Sequence, residues 1–266
     1  MEHLFKSWRT FAADYRAAAH VLLLSDYDGT LTPIVARPPD ARLPSGVRDK
    51  LAALTRGTRV SVGIISGRAM ADLKSLVALE GLYYAGNHGL EIAGPGLNYV
   101  SPEAELARAT VQDLAGRLAA ALESTAGVII EDKGLGLSVH YRLVARNEER
   151  SVKETFRRVT APLAEAGKIK ITSGKKILEV RPPLDWHKGK AVEAIRREIM
   201  SALKLKQVLT IFLGDDLTDE DAFKVLHRPG GWSVYIGGEN RESAADYFLD
   251  STAEVEELLD RLIKLG

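Results

Sequence analysis

The stretch Val21-Leu22-Leu23-Leu24-Ser25-Asp26-Tyr27-Asp28-Gly29-Thr30 joins an apolar run to two carboxylates and a hydroxyl. A short apolar run that ends at a turn residue predicts a buried strand, here residues 21–25. Ligands bind at strand ends in open α/β sheets, so Asp26 and Asp28 are candidates for chemistry. Gly29 permits a tight turn, and we expect both carboxyls at one small site that holds a cation or a shared proton. The alternative is an Asp-Gly turn that only joins two elements.

A second acidic cluster has the same placement. The apolar run 208–213 predicts another strand, and it leads into the acidic segment 214–221. Glu220 and Asp221 suit the positive end of a helix, but Asp215 follows the strand almost directly. Two strands that each deliver carboxylates to their ends predict a hard, oxygen-rich site, which suits Mg²⁺ better than zinc or copper.

Two further segments carry groups suited to phosphate. The predicted strand 60–65 leads into Ser66-Gly67-Arg68, which would present a hydroxyl and backbone amides at a helix N-terminus. Ser66 is equally suited to be an N-cap, and the two roles are compatible. Lys188 precedes the helical pattern 191–203, so a cation and a helix N-terminus would point the same way.

Composition limits the class of protein. The chain has 266 residues, 36 basic and 36 acidic side chains and no cysteine. Zero net charge gives no reason to expect nucleic acid or membrane as a partner, and the lack of cysteine is compatible with the cytoplasm. No stretch is long enough to span a bilayer. Residues 1–20 mix charges with apolar side chains, which predicts an amphipathic helix packed on the core rather than a signal peptide.

The pattern of elements predicts two modules. A parallel, doubly wound, Rossmann-like α/β core is expected from residues 1–99 and 183–266, and an inserted α+β cap from 100–182. Gly94-Pro95-Gly96 and Arg181-Pro182-Pro183 are expected hinges. The expected core strands are 21–25, 60–65, 82–85, 208–213 and 232–236; the cap has helices at 102–124 and 147–166 and strands near 127–131, 136–143, 168–171 and 176–181.

The cap repeats an αββ pattern, which predicts a four-stranded antiparallel sheet covered by two helices on one side. Alternation puts Ser138, His140 and Arg142 on the face opposite Val139 and Tyr141. Similarly, Ile177 and Glu179 face oppositely to Lys176, Leu178 and Val180. The sequence leaves open which face meets the helices.

The order Asp-x-Asp-Gly-Thr, Ser, Lys, Gly-Asp-Asp-x-x-Asp resembles the four motifs of haloacid dehalogenase superfamily phosphatases. Within that superfamily, four strings resemble the trehalose-6-phosphate phosphatase family over roughly residues 20 to 240. These strings are Gly63-Ile64-Ile65-Ser66-Gly67-Arg68, Gly86-Asn87-His88-Gly89, Glu131-Asp132-Lys133-Gly134 and Gly214-Asp215-Asp216-Leu217-Thr218-Asp219-Glu220.

The resemblance implies roles for the core residues. Asp26 would attack phosphorus to form an aspartyl phosphate, and Asp28 would act as acid and then base. Mg²⁺ would be held by Asp26, the backbone carbonyl of Asp28 and Asp215. The remaining assignments are Ser66 and Thr30 to phosphoryl oxygens, Lys188 to the phosphate and Asp26, and Asp216 and Asp219 to support of Lys188 or a metal-bound water.

The resemblance also implies a sugar site. The family positions for the distal glucose are Glu131, Lys133 and Glu179, and those near the phosphate-bearing glucose or the phosphate are Asn87, His88, Arg142 and Lys176. The segment 132–134 also suits an ordinary hairpin turn, His140 a satisfied strand histidine and Lys176 a solvated strand edge.

Three functions follow as alternatives. The first is Mg²⁺-dependent hydrolysis of trehalose 6-phosphate to trehalose and phosphate. The second is a related phosphatase for sucrose phosphate, glucosylglycerol phosphate or mannosylphosphoglycerate, against which the segment 131–134 argues. The third is a silent module that regulates a trehalose-phosphate synthase, and the presence of both Asp26 and Asp28 argues against it. A functional link to such a synthase is a further hypothesis.

Overall fold

The computed structural model describes residues 1–226, 230–239 and 242–266. These residues form two compact units, one of Met1–Tyr99 with Trp186–Gly266 and the other of Val100–Asp185. The helices are α1 Trp8–Ala17, α2 Ser45–Thr55, α3 Met70–Val77, α4 Pro102–Leu122, α5 Glu149–Glu165, α6 Lys188–Ala202, α7 Glu220–Lys224 and α8 Thr252–Leu265. The strands are β1 Glu2–His3, β2 Val21–Ser25, β3 Val60–Ile65, β4 Tyr83–Gly86, β5 Glu91–Gly94, β6 Leu97–Val100, β7 Ile129–Asp132, β8 Leu137–His140, β9 Lys170–Gly174, β10 Ile177–Arg181, β11 Leu209–Gly214, β12 Gly231–Ile236 and β13 Tyr247–Leu249.

The larger unit is built on a mostly parallel sheet. Within the described ranges its strand order is β1-β13-β12-β11-β2-β3-β4-β5-β6. The pairs from β1 to β4 are parallel, and β5 turns back antiparallel to β4. The chain proceeds from β2 outward to β4 on one side and from β11 outward to β13 on the other. The order therefore reverses between β2 and β11, and the doubly wound α/β core expected from the sequence is confirmed.

Both faces of this sheet are buried, which explains why its strands are continuous apolar runs. Along β2, Val21 and Leu23 enter one hydrophobic cluster with side chains of α1, α2, α3 and α8. Leu22 and Leu24 enter a second cluster on the opposite face, with side chains of α6 and α7. Successive side chains of a strand point to opposite faces, so each face receives every second residue.

The smaller unit is a four-stranded antiparallel sheet with one face covered by helices. Its strand order is β7-β8-β10-β9. Leu137, Val139 and Val180 pack with α4 and α5 in a third hydrophobic cluster. The expected four-stranded antiparallel sheet is therefore confirmed, and the face that meets the helices carries Val139 and Val180.

Several local expectations are wrong. The N-terminal segment is not one helix, because Glu2–His3 pairs with β13 and α1 begins only at Trp8. Gly94-Pro95-Gly96 is the turn between β5 and β6, within one sheet, rather than a hinge between modules. The strand expected at 136–143 ends at His140, and the one expected near 168–171 runs over Lys170–Gly174.

In the described part of the chain, no helix is both long and apolar enough to cross a bilayer.

Candidate active site

A buried lysine joins two carboxylates at the point where the strand order reverses. Asp26 directly follows β2, and its backbone N–H donates to Leu213 of β11 at 2.8 Å. Lys188 is the first residue of α6, and its side chain is 2% exposed. Its Nζ donates to Asp26 Oδ1 at 2.6 Å and to Asp219 Oδ1 at 2.7 Å. Lys188 therefore fixes the orientation of the Asp26 carboxylate.

Three carboxylates form one cluster at these strand ends. Oxygens of Asp26, Asp215 and Asp219 all lie within 4.8 Å of one another. Burial, together with neighbouring carboxylates, raises the pKa of Asp26 well above its ordinary value and that of Asp215 to about 7. Burial by itself would lower the pKa of Lys188, but Asp219 and Asp26 hold it above its ordinary value. Three carboxyl groups thus share the single ammonium group of Lys188.

The donor set fits a hard divalent cation. Carboxylate oxygens are the ligands that such cations prefer. Asp219 already accepts Lys188 on Oδ1 and the backbone N–H groups of Asp215 and Asp216 on Oδ2, at 3.1 and 3.0 Å. Asp26 and Asp215 are therefore the better ligands, and Asp219 holds Lys188 and the loop.

Gly29 allows Asp215 to reach this position. A Cβ at residue 29 would lie 2.2 Å from Asp215 Oδ2, and the backbone there has a φ of +90°, which favours glycine. Thr30 follows and is buried, and its hydroxyl donates to Asp215 Oδ1 at 3.3 Å. The hydroxyl expected to hold a phosphoryl oxygen thus orients the Asp215 carboxylate in this structure.

The Asp28 carboxylate is not part of the three-carboxylate cluster, which differs from the expectation of both carboxyls at one site. It accepts Arg68 Nε on Oδ2 and Arg68 Nη2 on Oδ1, both at 2.7 Å. The guanidinium cation of Arg68 attracts the Asp28 carboxylate, whereas the neighbouring carboxylates repel it. The adjacent Tyr27 points into the core, where burial raises its pKa to about 12.

Ser66 lies in a loop that is tied to a second loop. Its side chain is buried, and α3 begins only at Met70, so Ser66 is not the N-cap of that helix. The backbone N–H of His88 donates to Ser66 O, and that of Asn87 donates to Arg68 O, each at 2.8 Å. The structure therefore brings the expected residues Ser66, Asn87 and His88 together in one buried region of the larger unit.

The helix-free face of the smaller sheet carries a row of polar side chains. Ser138 is opposite Glu131 on one side and Glu179 on the other. Glu179 accepts Lys133 Nζ at 3.0 Å and Ser138 Oγ at 3.2 Å, and Arg181 also donates to it. The expected residues Glu131, Lys133 and Glu179 thus share this face.

Three expected residues lie elsewhere. Arg142 lies beyond the end of β8, is exposed and donates to the carbonyl of Lys175. Lys176 is exposed in the β9–β10 turn and pairs with Glu149 of α5, on the helix side of the sheet. Asp216 is exposed and accepts the backbone N–H of Leu217 at the start of a short 3-10 turn.

Two residues that make prominent contacts in the structure have no role predicted from the sequence. Arg68 belongs to the Ser66-Gly67-Arg68 motif, yet its hydrogen bond to Asp28 joins side chains 40 positions apart. His140 was assigned only a strand position, and its Nε2 is hydrogen-bonded to Glu131 Oε2 at 2.8 Å. Strand alternation places His140 on the polar face, but no local pattern indicates its partner.

Comparison with known proteins gives consistent matches over most of the chain. The pattern that defines the trehalose-phosphatase family matches residues 24–253. A probable trehalose-phosphate phosphatase of Oryza sativa is 35% identical over 92% of this chain and 66% of its own length, and the trehalose-phosphate phosphatase of Mycobacterium avium is 38% identical over 95% and 64%. The chain thus spans about two thirds of these relatives. The C-terminal domain of the Candida albicans trehalose-6-phosphate phosphatase superposes with a TM-score of 0.82 at 25% identity, covering 97% of both chains.

Proposed function

This chain belongs to the trehalose-phosphatase family, and from that premise we propose that it hydrolyses trehalose 6-phosphate to trehalose and phosphate through an aspartyl phosphate on Asp26. One observation carries the proposal: a buried Lys188 holds Asp26 at the strand-order reversal, beside a second carboxylate, Asp215, suited to a cation. A carboxylate in that position has both an orienting cation and a metal-site neighbour, which is what nucleophilic attack on a phosphate ester requires.

The first half of the reaction transfers the phosphoryl group to Asp26. A lone pair of the Asp26 carboxylate forms a bond to phosphorus, and the bond from phosphorus to the sugar oxygen breaks. Asp28 gives its proton to that leaving oxygen, which departs as the trehalose hydroxyl. Lys188 offsets the negative charge that approaches Asp26, and Ser66 donates to a phosphoryl oxygen.

The second half regenerates the carboxylate. Asp28, now ionised, takes a proton from a water molecule, and the water oxygen forms a bond to phosphorus. The bond between phosphorus and the Asp26 oxygen breaks, which releases inorganic phosphate and returns both residues to their starting forms. One side chain thus serves as acid and then as base, so both steps depend on where Asp28 is held.

We propose Mg²⁺ as the cation of the carboxylate cluster. When bound, Mg²⁺ would offset the repulsion between the dianionic ester and the anionic nucleophile. The residues that would hold it are Asp26, Asp215 and the backbone carbonyl of Asp28, with Asp219 and Asp216 as support. The support for this choice is an all-oxygen donor set in which three carboxylates lie close together beside the single ammonium group of Lys188.

Sugar specificity is assigned to the polar face of the smaller unit. Polyhydroxylated substrates are recognised by charged groups that make several hydrogen bonds, and Glu131, Lys133 and Glu179 offer such groups on one face of a sheet. We assign Asn87 and His88, which lie in the larger unit, to the phosphate-bearing glucose or the phosphate. Arg142 and Lys176 remain predictions without support from their present positions.

Two expectations about the cellular setting stay predictions. The first is a functional link to a trehalose-phosphate synthase. The second is a cytoplasmic location, which rests on the absence of cysteine from the sequence.

Phosphate release from a panel of sugar phosphates tests the proposal. We expect trehalose 6-phosphate to have the highest kcat/KM, and chelation of divalent cations to abolish turnover. Asp26→Asn is nearly isosteric but a poor nucleophile, so it should fold normally and lose turnover. Normal rates from a folded Asp26→Asn protein would exclude the aspartyl-phosphate route. A preference for sucrose phosphate would keep the phosphatase mechanism and replace the substrate.

A further inference from the structure

Arg68 has no assigned part in the reaction, yet its guanidinium group makes four hydrogen bonds. Nε and Nη2 donate to the two oxygens of Asp28, Nη1 donates to Asp72 at 2.7 Å, and Nη2 also donates to the carbonyl of Pro38 at 2.8 Å. The guanidinium carbon lies 5.3 Å from the centre of the Tyr27 ring. Contacts on several sides fix the plane of the guanidinium group.

Exposure differs sharply between the two partners. The Arg68 side chain is 7% exposed, whereas that of Asp28 is 40% exposed. The guanidinium therefore stands behind the carboxylate and leaves it accessible. A bidentate fork fixes both the position and the plane of a carboxylate, which a lysine cannot do.

The bidentate pairing with Arg68 does not use all the hydrogen-bonding sites of the Asp28 carboxylate. A carboxylate has about four acceptor sites on its two oxygens, and a bidentate arginine occupies one on each. One site per oxygen therefore remains for a proton or for a substrate oxygen. The pairing with Arg68 is thus compatible with the acid and base roles proposed for Asp28.

We infer that Arg68 is a positioning residue that acts through Asp28, an inference that rests on the proposed function. Its guanidinium sets the direction from which Asp28 meets the leaving-group oxygen and, later, the water. Without the fork, the exposed Asp28 side chain would sample several rotamers. Misplacement of a catalytic group by about 1 Å costs on the order of 100-fold in rate.

Two esters with different leaving groups test this role. The sugar oxygen needs a proton as it departs, whereas 4-nitrophenolate leaves without one. Because kcat/KM reports the steps through formation of the aspartyl phosphate, we expect Arg68→Met to lower it on the order of 100-fold for trehalose 6-phosphate and less than about 3-fold for 4-nitrophenyl phosphate. Arg68→Lys keeps the charge without the fork and should also lower the sugar-to-aryl ratio, to an intermediate value.

Two further measurements connect the effect to Asp28. The double variant Arg68→Met/Asp28→Asn should be no slower on the sugar ester than Asp28→Asn alone, because both changes remove one function. In Arg68→Ala, millimolar guanidinium ion should restore part of the sugar-ester rate. It should do nothing for Asp28→Asn.

Arg59 provides a matched control. Its guanidinium carbon also lies 5.3 Å from a tyrosine ring, that of Tyr15, and it donates to the backbone carbonyls of Tyr15, Ala18 and Gly266. Arg59→Met removes an equally anchored arginine that does not contact Asp28. We expect a lower melting temperature with an unchanged ratio of the two kcat/KM values.

The outcomes separate this inference from the proposed function. Suppose that the wild type hydrolyses the sugar ester and that the Arg68 variants lose kcat/KM equally on both esters. Arg68 would then have a purely structural role. A rise in sugar-ester kcat/KM would show that the fork restrains Asp28, and either result overturns the inference alone. If the wild type prefers another sugar phosphate, the same ratio is measured with that ester. Failure of the wild type on every sugar phosphate overturns the proposed function and the inference together.

Discussion

Replacing Lys188 with methionine should destabilise the protein far more than the loss of an ordinary surface lysine. The change keeps the buried methylene chain and removes only the charge. It leaves Asp26 and Asp219 without the ammonium group that now lies 2.6 and 2.7 Å from them. Removing one partner of a buried ion pair costs about 3 to 5 kcal/mol, because the remaining charge stays buried without compensation. Uptake of a proton by one carboxylate limits the loss to this range.

Lys50 is the matched control. Its Nζ also bridges two carboxylates, at 2.8 Å from Glu256 and 3.6 Å from Asp260, but those partners are 39% and 49% exposed. Solvent screens such pairs, so Lys50→Met should cost about 0.5 kcal/mol or less. The two substitutions are chemically identical and differ in burial.

Calorimetry in the presence of a chelator measures both variants. A loss of 3 to 5 kcal/mol corresponds to a fall in melting temperature of roughly 10 °C for a chain of this length, against about 1 or 2 °C for the control. Added Mg²⁺ should raise the melting temperature of the Lys188→Met protein, because a cation bound to Asp26 and Asp215 supplies charge that the lysine no longer does. Equal melting temperatures for the two variants would refute the claim that Lys188 is the buried counter-charge of the cluster.

Three further predictions concern the metal, the sugar and pH. After chelation, Mg²⁺ or Mn²⁺ should restore phosphate release and Ca²⁺ should not. Ca²⁺ admits longer, bidentate carboxylate contacts that would occupy the attacking oxygen of Asp26. Equal activity with Ca²⁺ would contradict the proposed metal site. Lys133→Ala should lower kcat/KM for trehalose 6-phosphate by roughly 30-fold to 1000-fold and leave 4-nitrophenyl phosphate nearly unchanged, and equal losses on the two esters would show a general disturbance instead. His20 is buried with its Nε2 2.9 Å from Ser61 Oγ, and burial lowers its pKa, so the unfolded chain binds a proton more readily than the folded one. Stability should fall as pH drops below about 6.5 toward the folded pKa, and denaturant titrations at several pH values should show a flatter acid limb for His20→Gln, an unchanged slope being the contrary result.

The core strands could be predicted because their burial on both faces forces continuous apolar runs. The run 21–25 was identified residue for residue as β2, and 60–65 as β3. The β1 pairing and the β5–β6 extension were not, because short edge strands owe their pairing to a neighbour rather than to local pattern. Residues 2–3 are a strand only because β13 lies beside them.

The candidate site divides in the same way. Asp26, Asp215 and Lys188 could be proposed because each follows or precedes an apolar element whose end is visible in the sequence. The family resemblance implied that Asp219 supports Lys188. No local pattern, however, indicated that Asp219 rather than Asp28 supplies the third carboxylate of the cluster, because this depends on a turn that returns Asp219 toward Lys188. The partner of Asp28 was likewise invisible to local pattern.

Sequence alone indicated the family of this protein and the strand ends that carry its charged side chains, because hydrophobic runs and the residues that follow them are properties of neighbouring positions. Only the tertiary structure decided the contacts and the geometry with which the charged groups pair, and it alone revealed the pairing of Arg68 with Asp28. Arg68 with Asp28 and Lys188 with Asp26 join positions 40 and 162 residues apart. Burial excludes water from such groups, which strengthens each paired interaction and makes an unpaired charge costly. Burial arises only when separate elements pack together.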